Sequence, residues 1–301
     1  MTTETVEDLS PTLFFSPVVP LRGSTGHGEE KAALRDIAAL DRRGHVALRN
    51  RDLAAAERYF REALELRQAV GAGAHTGLPQ AFGLLGVVAF RRGDLSRADT
   101  LFELGLEIAR ALRTCLTPED AVLLHNLGVV ARRLGRLDEA EVHHAGALSI
   151  KLAALGPAHP SVAVTRGSLG ALLLLQRRPA EALAHFESAR EIAGRVSGPR
   201  STCVAHFELG TGSAHLQLGA CDRAERCFAV AVAVYESLPG MAAQLANSQL
   251  RLAEARWHRD PADARRLAQD ALATYLASAH PDLRELRRMR SWLAIHTERA
   301  A

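Results

Sequence analysis

From about residue 33 to residue 298, apolar residues recur three and four positions apart in segments separated by short polar turns. That spacing puts each apolar set on one face of an α-helix. Ala121-Val-Leu-Leu-His-Asn-Leu-Gly-Val-Val-Ala131 is one such segment. The segments pair around a recurring signature: Ala, a large residue four positions on, a small residue three beyond that, and Gly twelve before the Ala. It reads Gly44/Ala56/Phe60/Ala63, Gly86/Ala98/Phe102/Gly105, Gly128/Ala140/His144/Ala147, Gly170/Ala182/Phe186/Ala189 and Gly212/Ala224/Phe228/Ala231. Each step is 42 residues; a sixth copy, Leu252/Ala264/Ala268/Ala271, follows after 40 and lacks the Gly.

A helical hairpin cannot bury its apolar face alone, so repeated hairpins stack. The pattern predicts an all-α solenoid of about six helix-turn-helix repeats over residues 30–281, with repeats starting near 37, 79, 121, 163, 205 and 245. The turns read "RRGDLSRA", "RLGRLDEA", "QRRPAEA" and "QLGACDRA". There Gly93, Gly135 and Gly219 suit a left-handed helix end, and Pro179 suits a helix start. Small residues such as Gly86 and Ala98 are expected to let the paired helices approach. The large rings are expected to fill the space toward the next hairpin. Residues 282–301 read as a capping helix and tail, with Leu286, Met289, Trp292 and Leu293 on one face and Arg284, Arg287 and Arg288 on the other.

Residues 1–29 stand outside the pattern as a flexible or groove-docking segment. "PTLFFSPVVPL" is a poor secretory signal, since Glu4, Glu7 and Asp8 precede it and Pro17 and Pro20 interrupt it. Its prolines favour an extended conformation, which makes Leu13, Phe14, Phe15, Val18, Val19 and Leu21 a candidate self-ligand.

Composition narrows the class. Aromatic residues at 5% suit Ala- and Leu-rich helices better than a β-sandwich or barrel. The 37 basic and 34 acidic residues of this 301-residue chain lack the excess a nucleic-acid binder needs. No apolar run is long enough for a membrane span. Cys115, Cys203, Cys221 and Cys227 are too few for a disulfide framework, so a cytoplasmic protein with reduced thiols is expected.

The Gly, Ala, aromatic and Ala positions resemble the tetratricopeptide repeat over roughly residues 33–298. The 42-residue step and the connector "LGPAHPSVAVTRGSLG", with a second Ala-His-Pro at Ala279–Pro281, look like the kinesin-light-chain type. The resemblance implies a right-handed superhelix whose first helices line a concave, peptide-binding surface. Counting the aligned Gly as position 8, the stripe includes Arg42, His45 and Arg49 in the first repeat, then Val87, Phe90 and Arg91 in the second. His125, Asn126, Val129, Arg132 and Arg133 follow in the third, Ser168, Leu174 and Leu175 in the fourth, and Gln217 in the fifth. Asn126 matches an asparagine of the family's peptide clamp, whereas Leu84, Ser168 and Gly210 stand at the equivalent sites.

The arginines suit an acidic or carboxylate-terminated peptide, because guanidinium groups pair bidentately with carboxylates. Val87, Phe90, Val129, Leu174 and Leu175 are expected as an exposed apolar patch. No Walker loop, dinucleotide fingerprint, H-E-x-x-H or nucleophile elbow occurs, so neither a catalytic centre nor a cofactor is expected. His143 and His144 point about 100° apart on a helix and do not chelate well. His144, in a ring position, reads as a packed, hydrogen-bonded core residue, and Cys203, Cys221 and Cys227 as buried thiols. The sequence therefore points to a non-catalytic scaffold binding a protein or peptide. A ligand-responsive regulator of a separately encoded protease or transcription factor is the alternative, and an enzyme on a repeat fold a further one.

Overall fold

The computed structural model describes residues 28–70, 76–278 and 282–298, and all regular structure among them is helical. The chain divides into two compact units, one through Pro157 and one from Ala158. The first contains α1 (Gly28–Arg49), α2 (Leu53–Ala69), α3 (Leu78–Arg91), α4 (Leu95–Leu112), α5 (Asp120–Arg133) and α6 (Leu137–Leu155). The second contains α7 (Pro160–Leu175), α8 (Pro179–Ser197), α9 (Thr202–Gln217), α10 (Cys221–Glu236), α11 (Ala242–Arg256), α12 (Pro261–Leu276) and α13 (Leu283–Glu298). Each unit is thus three hairpins of a tetratricopeptide-type solenoid, the second followed by a cap. The first helix begins at Gly28, upstream of the expected start near 37, because Glu29, Glu30, Lys31, Ala32 and Ala33 are good helix formers.

Local chemistry sets the helix ends. Asp52, Asp94, Ser201 and Asp260 accept hydrogen bonds from backbone N–H groups three residues on, at 2.9, 3.1, 3.3 and 3.0 Å. Pro160, Pro179 and Pro261 open their helices. The hairpin turns reverse through one left-handed residue in a constant register. Gly93, Gly135 and Gly219 take φ of 84°, 79° and 76°, and Arg51 and Arg177 hold the same place with φ of 60° and 61°.

Packing explains why Gly precedes each ring. A Cβ on Gly44, Gly86, Gly128, Gly170 or Gly212 would come 2.3–2.9 Å from the ring of Phe60, Phe102, His144, Phe186 or Phe228 of the same hairpin. The rings therefore seat inside their own hairpins, not only toward the next as the sequence suggested. Phe186 does both, and a Cβ on Gly210 of the following repeat would come closer still, 2.3 Å against 2.9 Å for Gly170. In the sixth repeat Leu252 replaces the Gly and Ala268 replaces the ring, so bulk moves from one helix to the other.

Ion pairs tie neighbouring hairpins. In the first unit Glu57 meets Arg92 and Arg97, and Asp99 meets Arg136. In the second, Glu225 meets Arg256 at 2.8 Å and Arg259 at 2.7 Å. The cap packs Leu286 and Met289 against α11 and α12, with Trp292 and Leu293 beside them. Arg288, expected on the outer face, turns inward and pairs with Glu254 at 3.4 Å and Glu285 at 3.2 Å.

Candidate functional site

The candidate site is the face of the first helices in the first unit. Arg42, Arg49, Arg91 and Arg133 are exposed there, and His45 and Phe90 are half-buried. The helices meet along one rung, five residues past each aligned Gly. Arg91 Nη1 donates to the Leu48 carbonyl oxygen of the preceding first helix at 3.1 Å, and the Arg133 guanidinium lies 5.9 Å from the Phe90 ring centroid. The second unit repeats the device: Gln217 Nε2 donates to the Leu174 carbonyl oxygen at 3.3 Å. Those carbonyls lie at helix C-termini, where intrahelical partners run out and positive charge is favoured.

The C-terminal halves of α1, α3 and α5 contain one acidic residue, Asp41. It is buried and paired with Arg67 of α2, the Nη1–Oδ1 distance being 3.4 Å. His45 Nδ1 donates to the Asp41 carbonyl oxygen at 2.7 Å. At the other end of α5, Asp120 is fully buried and accepts from Arg113 Nη1 at 2.5 and 2.7 Å and from the Thr117 N–H at 2.9 Å. Neither carboxylate neutralises the exposed arginines.

Between α3 and α5, Gln80, Gly83, Leu84, Val87, Glu119, Val122, Leu123 and Asn126 line a crevice of about 20 Å³. That volume holds about one water. Asn126 is 1% exposed, and its Oδ1 has no hydrogen-bond partner among the described residues. A buried carbonyl oxygen needs a donor, so this atom is a built acceptor for a water or a ligand N–H.

Several expected groove residues sit deeper. Val87 and Val129 in the first unit and Leu174 in the second are each 1% exposed, which leaves Phe90 half-buried in the first unit and Leu175 half-buried in the second. His125 is also buried, its ring 5.0 Å from that of His144, and Arg132 is 7% exposed. Arg132 and Arg133 point about 100° apart on α5, so only Arg133 reaches the face. Ser168, Leu175 and Gln217 belong to the second unit and are half-buried. Leu13, Phe14, Phe15, Val18, Val19 and Leu21 lie outside the described residues, as does His280.

His144 is fully buried, but neither ring nitrogen has a hydrogen-bond partner among the described residues, contrary to the expected bonded histidine. Burial, with the charges of Arg132 and Lys151, pulls it down to about 3. Lys151, also fully buried, is lowered by burial to about 7. Cys203 is exposed and Cys221 and Cys227 are half-buried, where buried thiols were expected; Cys115 is exposed, and all four are free thiols. Burial, then Glu208, pushes the Cys227 thiol up to about 12, the opposite of a reactive thiolate. Among the described residues no three His, Cys, Asp or Glu side chains are grouped to hold a metal ion. No described helix is long and apolar enough to cross a membrane.

The sequence placed Gln80 on the ligand-facing stripe of the second repeat but did not single out Glu119 as a lining residue, nor the contact between successive first helices. The signal for the latter was present, since Arg49, Arg91 and Arg133 share one register.

The tetratricopeptide repeat family model matches residues 36–111, 119–195 and 169–237, and the chain belongs to that family. No curated protein matches it. Among solved structures it is similar to BtubC (BKLC) from P. vanneervenii, with 21% identity, 87% of this chain and 92% of that one covered, and a TM-score of 0.57. A putative kinesin light chain from Podosopora anserina with nearly identical TPR-like repeats shares 20% identity, with 66% and 95% coverage and a TM-score of 0.57. A Rap protein complexed with competence and sporulation factor shares 14% identity, with 87% and 76% coverage and a TM-score of 0.59. At these identities the likeness establishes the fold.

Proposed function

We propose that the chain is a non-catalytic scaffold that binds an extended peptide or protein segment across the first helices of its first unit. The reading rests on Asn126: a nearly inaccessible carbonyl oxygen without a donor, lining a crevice between two of those helices. The crevice has room for about one water to satisfy it in the free protein. A ligand N–H takes that water's place or bonds through it. The exposed Arg42, Arg49, Arg91 and Arg133 favour acidic or carboxylate-terminated ligands, since the C-terminal halves of these helices carry no exposed carboxylate.

The test is selection of peptides from a random display library on the full chain, then affinity measurement on Asn126→Ala combined with Arg133→Glu. Arg133 is exposed, whereas reversing the charge of the buried Arg132 would disturb the core. Loss of about tenfold or more in affinity, with the helical spectrum unchanged, supports the assignment. Unchanged affinity places binding elsewhere.

A further inference from the structure

Glu119, Asn126 and Arg133 follow one another at seven-residue intervals along α5. Glu119 is the N-cap of that helix and already has helical backbone angles, φ −67° and ψ −39°. Seven residues come within about 20° of two full turns and rise about 10.5 Å, so the three share one face and span about 21 Å. Their surroundings agree. Glu119 and Asn126 line the same crevice against α3, and the Arg133 guanidinium lies against the Phe90 ring of α3.

The fold leaves the polar groups of all three available. Asn126 Oδ1 has no hydrogen-bond partner among the described residues. Glu119 makes no capping hydrogen bond, and its carboxylate joins no ion pair among the described residues. The carboxylate beside it is committed: Asp120 accepts from Arg113, Thr117 and Gln80. Arg133 is exposed and also joins no ion pair among the described residues. One helix face therefore presents a carboxylate, an amide oxygen and a guanidinium, in that order.

We propose that a peptide lies along α5 with an ammonium group at Glu119, a backbone N–H at Asn126 and a carboxylate at Arg133. An extended chain advances about 3.3 Å per residue, so the two charges stand about six residues apart. The ammonium belongs to a lysine side chain or to the amino terminus, which offer the same compact, three-donor head. The inference rests on the peptide-binding reading of this face. It adds a required cation, the separation of the two charges and the direction in which they lie.

The test begins with selection of a random twelve-residue peptide library on the full chain. The leading peptide is labelled and measured by fluorescence anisotropy in four forms: intact, amino-acetylated, with lysine changed to Gln, and with its acidic residue changed to the amide. Each form is measured on wild type, Glu119→Gln and Arg133→Gln. Both positions lie at the surface, Glu119 half-buried and Arg133 exposed, and circular dichroism checks the fold. Removing the cation should weaken binding to wild type about threefold and leave binding to Glu119→Gln unchanged. Removing the acid should weaken binding to wild type about threefold and leave binding to Arg133→Gln unchanged. The form that produces the first loss, acetylated or lysine-free, identifies the source of the ammonium. A cation without effect, or with the same effect on Glu119→Gln, overturns the inference while peptide binding stands. A library that yields no binder to wild type removes the peptide-binding reading and this inference with it.

Discussion

His144→Phe should stabilise the protein, and more so in mild acid. Four other repeats seat Phe60, Phe102, Phe186 or Phe228 in this position against the same Gly, so the hairpin geometry already accepts the larger ring. His144 buries two ring nitrogens without partners among the described residues. An unsatisfied buried polar group costs about 1–3 kcal/mol, so the substitution should add about 2 kcal/mol near pH 7.5. Acid adds a linkage effect. The folded histidine is held near 3, whereas an unfolded one titrates near 6.5. Below 6.5 the unfolded chain binds the proton and the folded chain does not, so stability falls as pH falls toward 3. At about 1.4 kcal/mol per pH unit, wild type loses about 2 kcal/mol between 6.5 and 5 on account of His144. Phenylalanine removes that loss, raising the variant's advantage to about 4 kcal/mol at pH 5. Urea melts followed by circular dichroism at both pH values measure it, and histidines remote from position 144 cancel in the difference. A variant no more stable than wild type, or one with a pH-independent gain, would refute the reasoning.

Three further outcomes follow from the same packing. Gly86→Ala should destabilise by roughly 1–2 kcal/mol although alanine is the better helix former, because its Cβ would come 2.7 Å from the Phe102 ring; adding Phe102→Leu should recover part of the loss in thermal melts. Arg51→Gly should stabilise by about 0.5–1 kcal/mol, since relieving φ of 60° outweighs the flexibility gained by the unfolded chain; an unchanged denaturation midpoint contradicts this. For Lys151, lowered by burial to about 7 against an ordinary 10.5, the unfolded chain binds the extra proton between those values, so stability rises with pH across that window. Lys151→Met should flatten the rise, and a wild-type curve already flat from pH 7 to 9 would show that the buried lysine keeps its charge.

Much of the fold was legible because one constraint repeats. Gly86 and Phe102 are complementary halves of a close helix pair, and a 42-residue recurrence of both can only be a stacked hairpin. The site was less legible because helical periodicity gives direction and not depth. Positions 5 and 9 point toward the ligand face, yet His125 and Val129 are covered while Arg42 and Arg133 are open. Periodicity also could not reveal that His144, taking a phenylalanine position, finds no hydrogen-bond partner there. Arg288 faces inward because Glu254, distant in sequence, waits for it, a pairing that only tertiary structure creates.

The central claim, that ligands cross the first helices of the first unit, is tested most directly by site-specific photocrosslinking. A photoreactive amino acid is placed at Phe90 on that face, or at Val142 of α6, which is 70% exposed, and each protein is irradiated with a labelled library-selected peptide. The account predicts a strong adduct from position 90, abolished by excess unlabelled peptide, and none from position 142. An adduct at 142 with none at 90 would contradict it.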